Sequence, residues 1–234
     1  MIHITGDVHY PIDAAKLDKL SKECGLSCSD LLIVCGDLGV VWGSAEDTRK
    51  NIARLLSYPF NIAFIDGNHE NYNLLSTFPC KKVFGARCHV LSPKLVHLMR
   101  GQVYTIEGRT FFTMGGAHSV DKSTRLIGVD WFPDEVPSRQ ELQRGFDSLD
   151  RHGNQVDFIL THDAPLFASK ELYAKNSLIS HDLNQYLDII ADTVQRRAWF
   201  CGHHHADMLI APDIHMLFNS VLRIEPNNTL TRVL

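Results

Sequence analysis

The chain has 234 residues, of which 44% are hydrophobic and 21% are charged. These shares are ordinary for a folded globular protein, and no apolar run approaches the roughly 18 residues that a membrane-spanning helix needs. The net charge is −4 and lysine and arginine form no block, so the sequence has no broad electrostatic footprint for nucleic acid.

Six cysteines are spread along the chain. Cys35 and Cys201 lie inside apolar runs, where a free thiol behaves as a small buried hydrophobe. Cys24 and Cys28 are too isolated to form a four-ligand zinc site, and a chain of this length needs no disulfide framework. The N-terminal residues resemble a strand and lack the charged-then-apolar pattern of a signal segment. We therefore expect a reduced, cytoplasmic protein with a single domain over residues 1–234.

Short apolar runs of strand length alternate with segments that carry helix signals. The runs are rich in Ile, Val, Leu or Phe, as expected for strands buried on both faces. They are Ile2–Thr5, Leu31–Cys35, Ile62–Ile65, Phe111–Met114, Phe158–Leu160 and Trp199–Cys201. Helices are predicted at about residues 12–24, 45–57, 139–151 and 181–196. Ser44 and Ser138 each precede an acidic residue by three positions, which is the pattern of a capping box at a helix start.

Two further regions are predicted to form antiparallel hairpins. In the middle of the chain, Arg100-Gly101 and Glu107-Gly108 separate three strand-like pieces. These pieces are Lys94–Met99, Gln102–Ile106 and Arg109–Met114. Near the C-terminus the pieces are Ile214–Phe218, Val221–Ile224 and Leu230–Val233, with Pro226-Asn227-Asn228 as a turn. Strand–helix alternation followed by hairpins indicates an α/β fold with two sheets and helices outside them.

Five of the apolar runs are followed directly by Asp, Asn or His, mostly beside a glycine that lets the backbone turn sharply. These segments are Gly6-Asp7-Val8-His9, Gly36-Asp37-Leu38-Gly39, Asp66-Gly67-Asn68-His69-Glu70, Thr161-His162-Asp163 and Gly202-His203-His204-His205. Because ligands of an open α/β sheet bind beyond the carboxyl ends of its strands, we expect these side chains to converge. Carboxylate and imidazole groups suit divalent transition metals, and two such ions can clamp a phosphoryl group. The pattern therefore predicts a binuclear metal site.

The order of these five segments resembles that of the calcineurin-like metallophosphoesterases, over residues 6–205. The resemblance implies two stacked mixed β-sheets flanked by helices, in a four-layer sandwich. It also implies two divalent metal ions (manganese, iron, zinc, cobalt or nickel, with manganese favoured). The implied ligands are Asp7, His9 and His205 for one ion and Asn68, His162 and His203 for the other, with Asp37 bridging them. His69 matches the family's catalytic histidine, which is not a ligand and stabilises charge or protonates the leaving oxygen.

The chain departs from the protein serine/threonine phosphatases of this family at two places. Those enzymes continue the second segment with Asp and Arg, whereas this chain has Gly39-Val40-Val41-Trp42. In addition, residues 115–125 and 131–135 resemble a branch of small bacterial and phage members. We expect His118 and Arg125 to reach the substrate phosphate, because arginine can grip phosphate with two hydrogen bonds. The alternative is that the basic residues of this loop form a solvated face.

Several other polar residues near these segments are assigned supporting roles. Glu70 and Asp163 each adjoin a predicted ligand and are candidates for orienting an imidazole ring. His204 lies between two predicted ligands on an extended segment, so its side chain should point away from the metals. Ser119 has no local signature of a catalytic partner, which disfavours a serine nucleophile.

Together these features predict a metal-dependent phosphoric ester hydrolase that acts on a small phosphorylated substrate. A hydroxide that bridges the two metals would attack phosphorus in line, while His69 assists the leaving alkoxide. We favour a phosphomonoesterase, because nothing indicates a long groove for nucleic acid. The alternatives are a phosphodiesterase or nuclease acting on nucleotides or cyclic nucleotides, and a non-catalytic interaction module on the same fold.

Overall fold

The computed structural model describes residues 1–173, 181–210 and 212–234. In chain order its strands are β1 (Ile2–Thr5), β2 (Leu31–Cys35), β3 (Asn61–Ile65), β4 (Cys80–Val83), β5 (Ala86–Ser92), β6 (Leu95–Leu98), β7 (Gln102–Ile106), β8 (Arg109–Met114), β9 (Phe158–Thr161), β10 (Ala198–Cys201), β11 (Met208–Ile210), β12 (Ile214–Met216), β13 (Leu222–Ile224) and β14 (Leu230–Arg232). The helices are α1 (Ala15–Lys22), α2 (Ala45–Leu55), α3 (Tyr72–Leu75), α4 (Arg139–Arg151), α5 (Leu166–Leu172) and α6 (Asp182–Thr193), and 3₁₀ turns lie at Lys122–Thr124 and Pro133–Glu135. None of the described helices is long and apolar enough to cross a membrane.

The strands form two mixed sheets. The first has the order β14-β13-β1-β2-β3-β6-β5-β4, and the second has the order β11-β12-β10-β9-β8-β7. The central strands of each sheet run parallel, and the outer strands pair antiparallel with their neighbours. This confirms the predicted α/β architecture of two mixed sheets flanked by helices.

The alternation of side chains along the central strands places one apolar layer between the sheets and one under each set of helices. On β2, Ile33 and Cys35 belong to the layer between the sheets, which also contains Phe158 of the second sheet. Leu32 and Val34 point the other way and pack in a cluster with residues of α1 and α2. On the outer face of the second sheet, a third cluster includes residues of α4 and α6. The fold is therefore four layers deep.

The capping boxes predicted at Ser44 and Ser138 are both formed. The Ser44 hydroxyl accepts a hydrogen bond from the backbone N–H of Asp47, whose carboxylate accepts one from the backbone N–H of Ser44. Ser138 and Glu141 make the same reciprocal pair at the start of α4. These bonds satisfy N–H groups that the first turn of a helix leaves without partners. The predicted starts of these two helices are confirmed.

The hairpin predicted across Arg100-Gly101 is wrong, because β6 and β7 belong to different sheets. β6 pairs parallel with β3 in the first sheet, whereas β7 pairs with β8 in the second. The crossing turn packs tightly against α4, since a Cβ on Gly101 would lie 2.7 Å from the carbonyl oxygen of Glu141. In the same way, β12 and β13 lie in different sheets. The β7–β8 and β13–β14 hairpins are confirmed, and a further hairpin between β4 and β5 was not predicted.

Two consecutive isoleucines of α6 provide a matched test of the packing on the second sheet. Ile190 is fully buried, whereas Ile189 is 50% exposed. We expect Ile190→Ala to lower the free energy of unfolding by about 2–5 kcal/mol, because it leaves a cavity in the core. Ile189→Ala should cost about 1 kcal/mol or less. Urea unfolding of the metal-free protein measures both, and equal losses would show that this face of α6 is not packed as the structure has it.

Candidate metal centre

The carboxyl ends of strands from both sheets meet at one place. Asp7 and Asp37 follow β1 and β2 of the first sheet, and His162 and His203 follow β9 and β10 of the second. The backbone N–H of His203 donates to the Asp7 carboxylate, at 2.9 and 3.1 Å from its two oxygens. The loops of the two sheets are therefore directly bonded to one another at this edge.

The first predicted ligand group is assembled in the structure. The side-chain ligand atoms of Asp7, His9 and His205 lie within 4.8 Å of one another. The distance between His205 Nε2 and Asp7 Oδ1 is 3.8 Å, and His9 Nε2 lies 3.3 Å from Asp37 Oδ2. His205 is half exposed and its ring stacks on Phe218, with 4.5 Å between the ring centroids. These side chains could hold one divalent ion.

The second predicted ligand group lies against the first. The side-chain oxygen of Asn68 is 3.1 Å from His162 Nε2 and 3.0 Å from His203 Nδ1. His162 Nε2 is also 3.4 Å from Asp37 Oδ1. Asp37 thus points one carboxylate oxygen at each group, which is the position that a bridging ligand needs. All seven predicted ligands are brought together, and their metal-binding role remains a prediction.

Two of the predicted ligand rings are held by their second nitrogen. His162 Nδ1 lies 2.9 Å from the carbonyl oxygen of Cys35, and His9 Nδ1 lies 3.1 Å from Asp13 Oδ2. Each contact engages Nδ1 as the N–H donor and turns Nε2 toward the predicted ligand groups, which is the usual arrangement of metal-ligating histidines. Sequence reasoning missed Asp13, although its spacing of four residues from His9 could have suggested it.

The backbone at the predicted ligands adopts a conformation that is costly for residues other than glycine. Asp7, His9, Asp37, His203 and His205 all have positive φ angles, between 37° and 64°. Such strain persists only where the surrounding structure over-determines it, and it is concentrated at functional sites. The strained turns are therefore consistent with a built site.

A buried lysine helps to hold the first of these turns. Lys16 of α1 is 8% exposed, and its ammonium group donates to the carbonyl oxygens of Gly6 and Asp7 and to the Thr5 hydroxyl at 2.5 to 3.1 Å. Burial lowers the pKa of Lys16 to about 8, although Asp7 opposes this shift. Sequence reasoning missed Lys16 because its role depends on long-range backbone contacts.

Glycine is required where two of these loops touch. A side chain at Gly67 would collide with the carboxylate and backbone of Asp37, and one at Gly36 would collide with the ring of His162. The absence of a Cβ therefore permits the close approach that the sequence pattern predicted.

The electrostatics of the centre favour a bound cation. Asp7 and Asp37 are both buried, and burial together with the neighbouring Asp37 raises the pKa of Asp7. Burial alone would raise the pKa of Asp37 as well, but the charge of His162 and its hydrogen bond hold that pKa well below its ordinary value. The same pairing raises the pKa of His162 to about 10 against the effect of its burial. Two buried carboxylates, imidazoles and an amide oxygen are a donor set that fits divalent transition metals.

His69 lies at the edge of the two ligand groups. Its backbone N–H donates to Asp37 Oδ1 at 2.8 Å, and its ring packs near His9 and Trp42. The ring is close enough to His9 and Asp37 that the three could hold an ion. However, its Nε2 is 3.2 Å from Nη2 of Arg125. A guanidinium group can only donate hydrogen bonds, so this nitrogen accepts from Arg125, which favours a role other than metal ligation.

The two predicted phosphate-binding residues lie in different surroundings. Arg125 reaches the centre through its contact with His69, and its Nε pairs with Asp121 at 2.9 Å. The ring of His118 instead stacks on that of His181, with 3.7 Å between the centroids. His118 lines a cavity of about 690 Å³ that His203 also lines. The structure thus places Arg125 beside His69 and His118 in the adjoining cavity.

Glu70 and Asp163 were predicted to orient an imidazole ring, and among the described residues only Asp163 contacts one. The buried carboxylate of Glu70 accepts a hydrogen bond from the backbone N–H of Gly39 at 3.4 Å, and from no imidazole among the described residues. Asp163 Oδ1 lies 3.3 Å from His204 Nε2. The predicted extended segment is wrong, because His203 and His205 have positive φ angles. The ring of His204 nevertheless contacts Asp163, so Asp163 orients a ring that is not a predicted ligand.

Comparison with known proteins identifies the family. Residues 1–207 match the family model described as calcineurin-like phosphoesterase. No curated protein sequence matches the chain. Among solved structures, a similar one is that of a proposed 5′-nucleotidase from Staphylococcus aureus in complex with alpha-ketoglutarate, with 12% identity and a TM-score of 0.50. The match covers 99% of this chain and 52% of that chain, so the present chain spans about half its length. At this identity the likeness concerns the fold alone.

The contact between Asp13 and His9 predicts a measurable effect on metal binding. We expect Asp13→Ala to weaken binding at the Asp7, His9 and His205 group by about 10–100-fold, because the His9 ring loses the partner that fixes it. Calorimetric titration of the metal-free protein with Mn²⁺ measures the affinity. The exposed Asp192→Ala on α6 is the control. Wild-type affinity in Asp13→Ala would show that this carboxylate does not support the site.

Proposed function

The chain belongs to the calcineurin-like phosphoesterase family, and we propose that it is a metal-dependent phosphomonoesterase acting on a small phosphorylated substrate. One observation carries the proposal. The buried carboxylate of Asp37 points one oxygen at His9 and the other at His162, at 3.3 and 3.4 Å. A carboxylate placed in this way suits a pair of divalent ions, and such a pair is suited to phosphoryl transfer.

The predicted ligands would hold the two ions, and manganese is the ion that we propose to test first. A bound pair of divalent ions supplies a water of lowered pKa and neutralises charge on the phosphoryl oxygens. Asp37 would bridge the ions. The first group would be completed by Asp7, His9 and His205, and the second by Asn68, His162 and His203.

Arg125 would bind the phosphoryl group of the substrate. Its side chain is 12% exposed and lies beside His69 at the edge of the centre. The guanidinium group is positively charged and only donates hydrogen bonds. It therefore binds an anionic phosphate oxygen more strongly than a neutral imidazole nitrogen. When Arg125 turns to the phosphate, the Nε2 of His69 is free to take up a proton, and the protonated ring would then stabilise the charge on the leaving oxygen or transfer that proton to it.

A monoester is favoured over a diester by charge. A phosphate monoester carries more negative charge than a diester, and it meets here a guanidinium group beside a centre built for two divalent ions. A phosphodiesterase or nuclease acting on nucleotides or cyclic nucleotides would use the same ligands and is the alternative. A non-catalytic interaction module is disfavoured, because the seven ligand positions are all occupied by suitable residues that lie together.

We also propose that residues 1–234 act as a single domain in a reducing, cytoplasmic environment. Strand β13 pairs antiparallel with β1, with Ile224 opposite Ile2, so residues beyond the matched family region form part of the first sheet. The six cysteines are all free thiols, which supports a reducing compartment.

The reaction class is tested by hydrolysis of para-nitrophenyl phosphate beside bis-para-nitrophenyl phosphate. We expect turnover of the monoester only after Mn²⁺ is restored to metal-stripped protein. Asp37→Asn should lower kcat by more than about 100-fold, because even residues that merely support a metal ligand cost 10–100-fold. Turnover confined to the diester would select the alternative. Two bound ions per chain without hydrolysis of either ester or of a nucleotide panel would contradict the proposed function.

The proposed role of Arg125 predicts a change in substrate affinity with the metals retained. We expect Arg125→Ala to raise KM, or Ki for inorganic phosphate, by about 10–100-fold, since a hydrogen bond to a charged group contributes about 1.5–3 kcal/mol. Metal content after dialysis should stay at the wild-type value. Arg144→Ala, an exposed position on α4, is the control. If Arg125→Ala keeps wild-type kinetics, the arginine belongs to a solvated loop face and has no part in binding phosphate.

A further inference from the structure

The loop between β8 and α4 touches the predicted metal centre through a residue with no assigned function. Ser119 lies in this loop, and its hydroxyl oxygen is 3.2 Å from the side-chain nitrogen of Asn68. We propose that Ser119 and Glu135 are positioning residues that fix the Asn68 amide with its oxygen toward the second predicted ion. This inference rests on the proposed two-metal centre.

The three side chains form a buried chain of hydrogen bonds, which we call the Asn68 relay (Asn68, Ser119 and Glu135). The Asn68 Nδ2 group donates to Ser119 Oγ at 3.2 Å, and the Ser119 hydroxyl donates to Glu135 Oε2 at 2.6 Å. The backbone N–H of Ser119 donates to Glu135 Oε1 at 2.9 Å. The exposed fractions of the three residues are 5%, 4% and 1%, so water cannot readily replace these partners.

The side-chain hydrogen bonds of the relay are all donated in the direction from Asn68 to Glu135. This direction selects one of the two orientations of the Asn68 amide. The two orientations of an asparagine amide have nearly the same shape and differ only in which end donates. A serine hydroxyl has one hydrogen, and Ser119 gives it to the Glu135 carboxylate, which only accepts. Ser119 therefore presents a lone pair to Asn68, which suits the NH₂ group and repels the carbonyl oxygen.

On its other side, the selected orientation points the Asn68 oxygen into the centre. That oxygen lies 3.1 Å from His162 Nε2 and 3.0 Å from His203 Nδ1. A divalent ion binds the carbonyl oxygen of an amide and not its NH₂ group. A flipped Asn68 would therefore remove one ligand from the second group and place hydrogens where the ion should lie.

The relay is anchored to the loop after β3, which carries Asn68. The backbone oxygen of Glu135 accepts hydrogen bonds from Arg100 Nη2 at 3.2 Å and from the backbone N–H of Ala117 at 3.1 Å. Arg100 is itself buried, and its Nε donates to the carboxylate of Asp66, just after β3, at 2.6 Å. Glu135 is thus held in place independently of the exposed part of the loop at residues 120–130.

Metal binding by the variants tests the relay directly. Calorimetric titration with Mn²⁺ is run on metal-stripped wild type, Ser119→Ala and Glu135→Gln, with thermal melting to confirm folding. We expect Ser119→Ala to lower the affinity for one of the two Mn²⁺ ions by about 10–100-fold, as for other residues that orient a ligand. The exposed Ser123→Ala in the same loop is the control and should bind both ions as the wild type does.

Glu135→Gln is the sharper variant because it is isosteric and should reverse the relay. The backbone N–H of Ser119 keeps the glutamine oxygen on its side, so the glutamine NH₂ must face the Ser119 hydroxyl. The hydroxyl then accepts from glutamine and points its hydrogen at Asn68, which favours the flipped amide. We expect a loss of second-ion affinity at least as large as in Ser119→Ala.

The Asn68→Asp background separates a positioning role from a merely structural one. Both ends of a carboxylate are oxygen atoms, so either orientation offers an oxygen to the ion. The carboxylate oxygen on the side of Ser119 would be repelled by the serine lone pair. Ser119→Ala should therefore be neutral or favourable for Mn²⁺ binding in that background, although it is harmful in the wild type. An equal loss in both backgrounds, or unchanged Mn²⁺ binding in folded Ser119→Ala and Glu135→Gln, would overturn the proposal.

The titration also separates this inference from the proposed function. If the wild type binds two ions and hydrolyses no phosphate ester, the proposed function fails. The variants then still test whether Ser119 and Glu135 position the Asn68 amide. A wild type that binds fewer than two ions overturns the relay too, because Asn68 then has no second ion to face.

Discussion

The whole centre depends on one buried carboxylate. Asp37 is 1% exposed and has both oxygens engaged, by His9 on one side and by His162 and the backbone N–H of His69 on the other. A carboxylate removed from water in this way must be compensated by opposite charge or by hydrogen bonds. The rings that surround Asp37 supply that compensation in the described structure, and the same ring nitrogens are the atoms that would bind metal. The groups that stabilise the buried carboxylate are therefore the ones that are predicted to bind metal.

The stacking of two mixed sheets makes this concentration of polar groups possible. Each sheet brings the carboxyl ends of its parallel strands to the same edge, and predicted ligands follow directly after β1, β2, β9 and β10. The loop after β8 lies on one side of the site and contacts it at two places. Its buried residues Ser119 and Glu135 hold the Asn68 amide, whereas Arg125 reaches the outer edge beside His69.

The central strands and the set of predicted ligands could be found from the sequence because their signals are local. A buried strand followed by Gly-Asp or Gly-Asn-His is visible within a few residues. The sheet crossing at Gly101 could not be found, because it depends on packing against α4. The Asn68 relay could not be predicted for a similar reason, since Asn68 and Ser119 are 51 positions apart and no periodicity links them. Polar contacts between distant loops leave no pattern that a single sequence reveals.

Our central proposal is that Asp37 would bridge two ions, and electron paramagnetic resonance of the Mn²⁺-loaded protein tests it most directly. Two Mn²⁺ ions held roughly 3.5–4 Å apart by a shared carboxylate are magnetically coupled. We predict the spectrum of a coupled pair in the wild type and its replacement by that of an isolated ion in Asp37→Asn. A wild type that binds two Mn²⁺ ions and shows only isolated-ion signals would contradict the account.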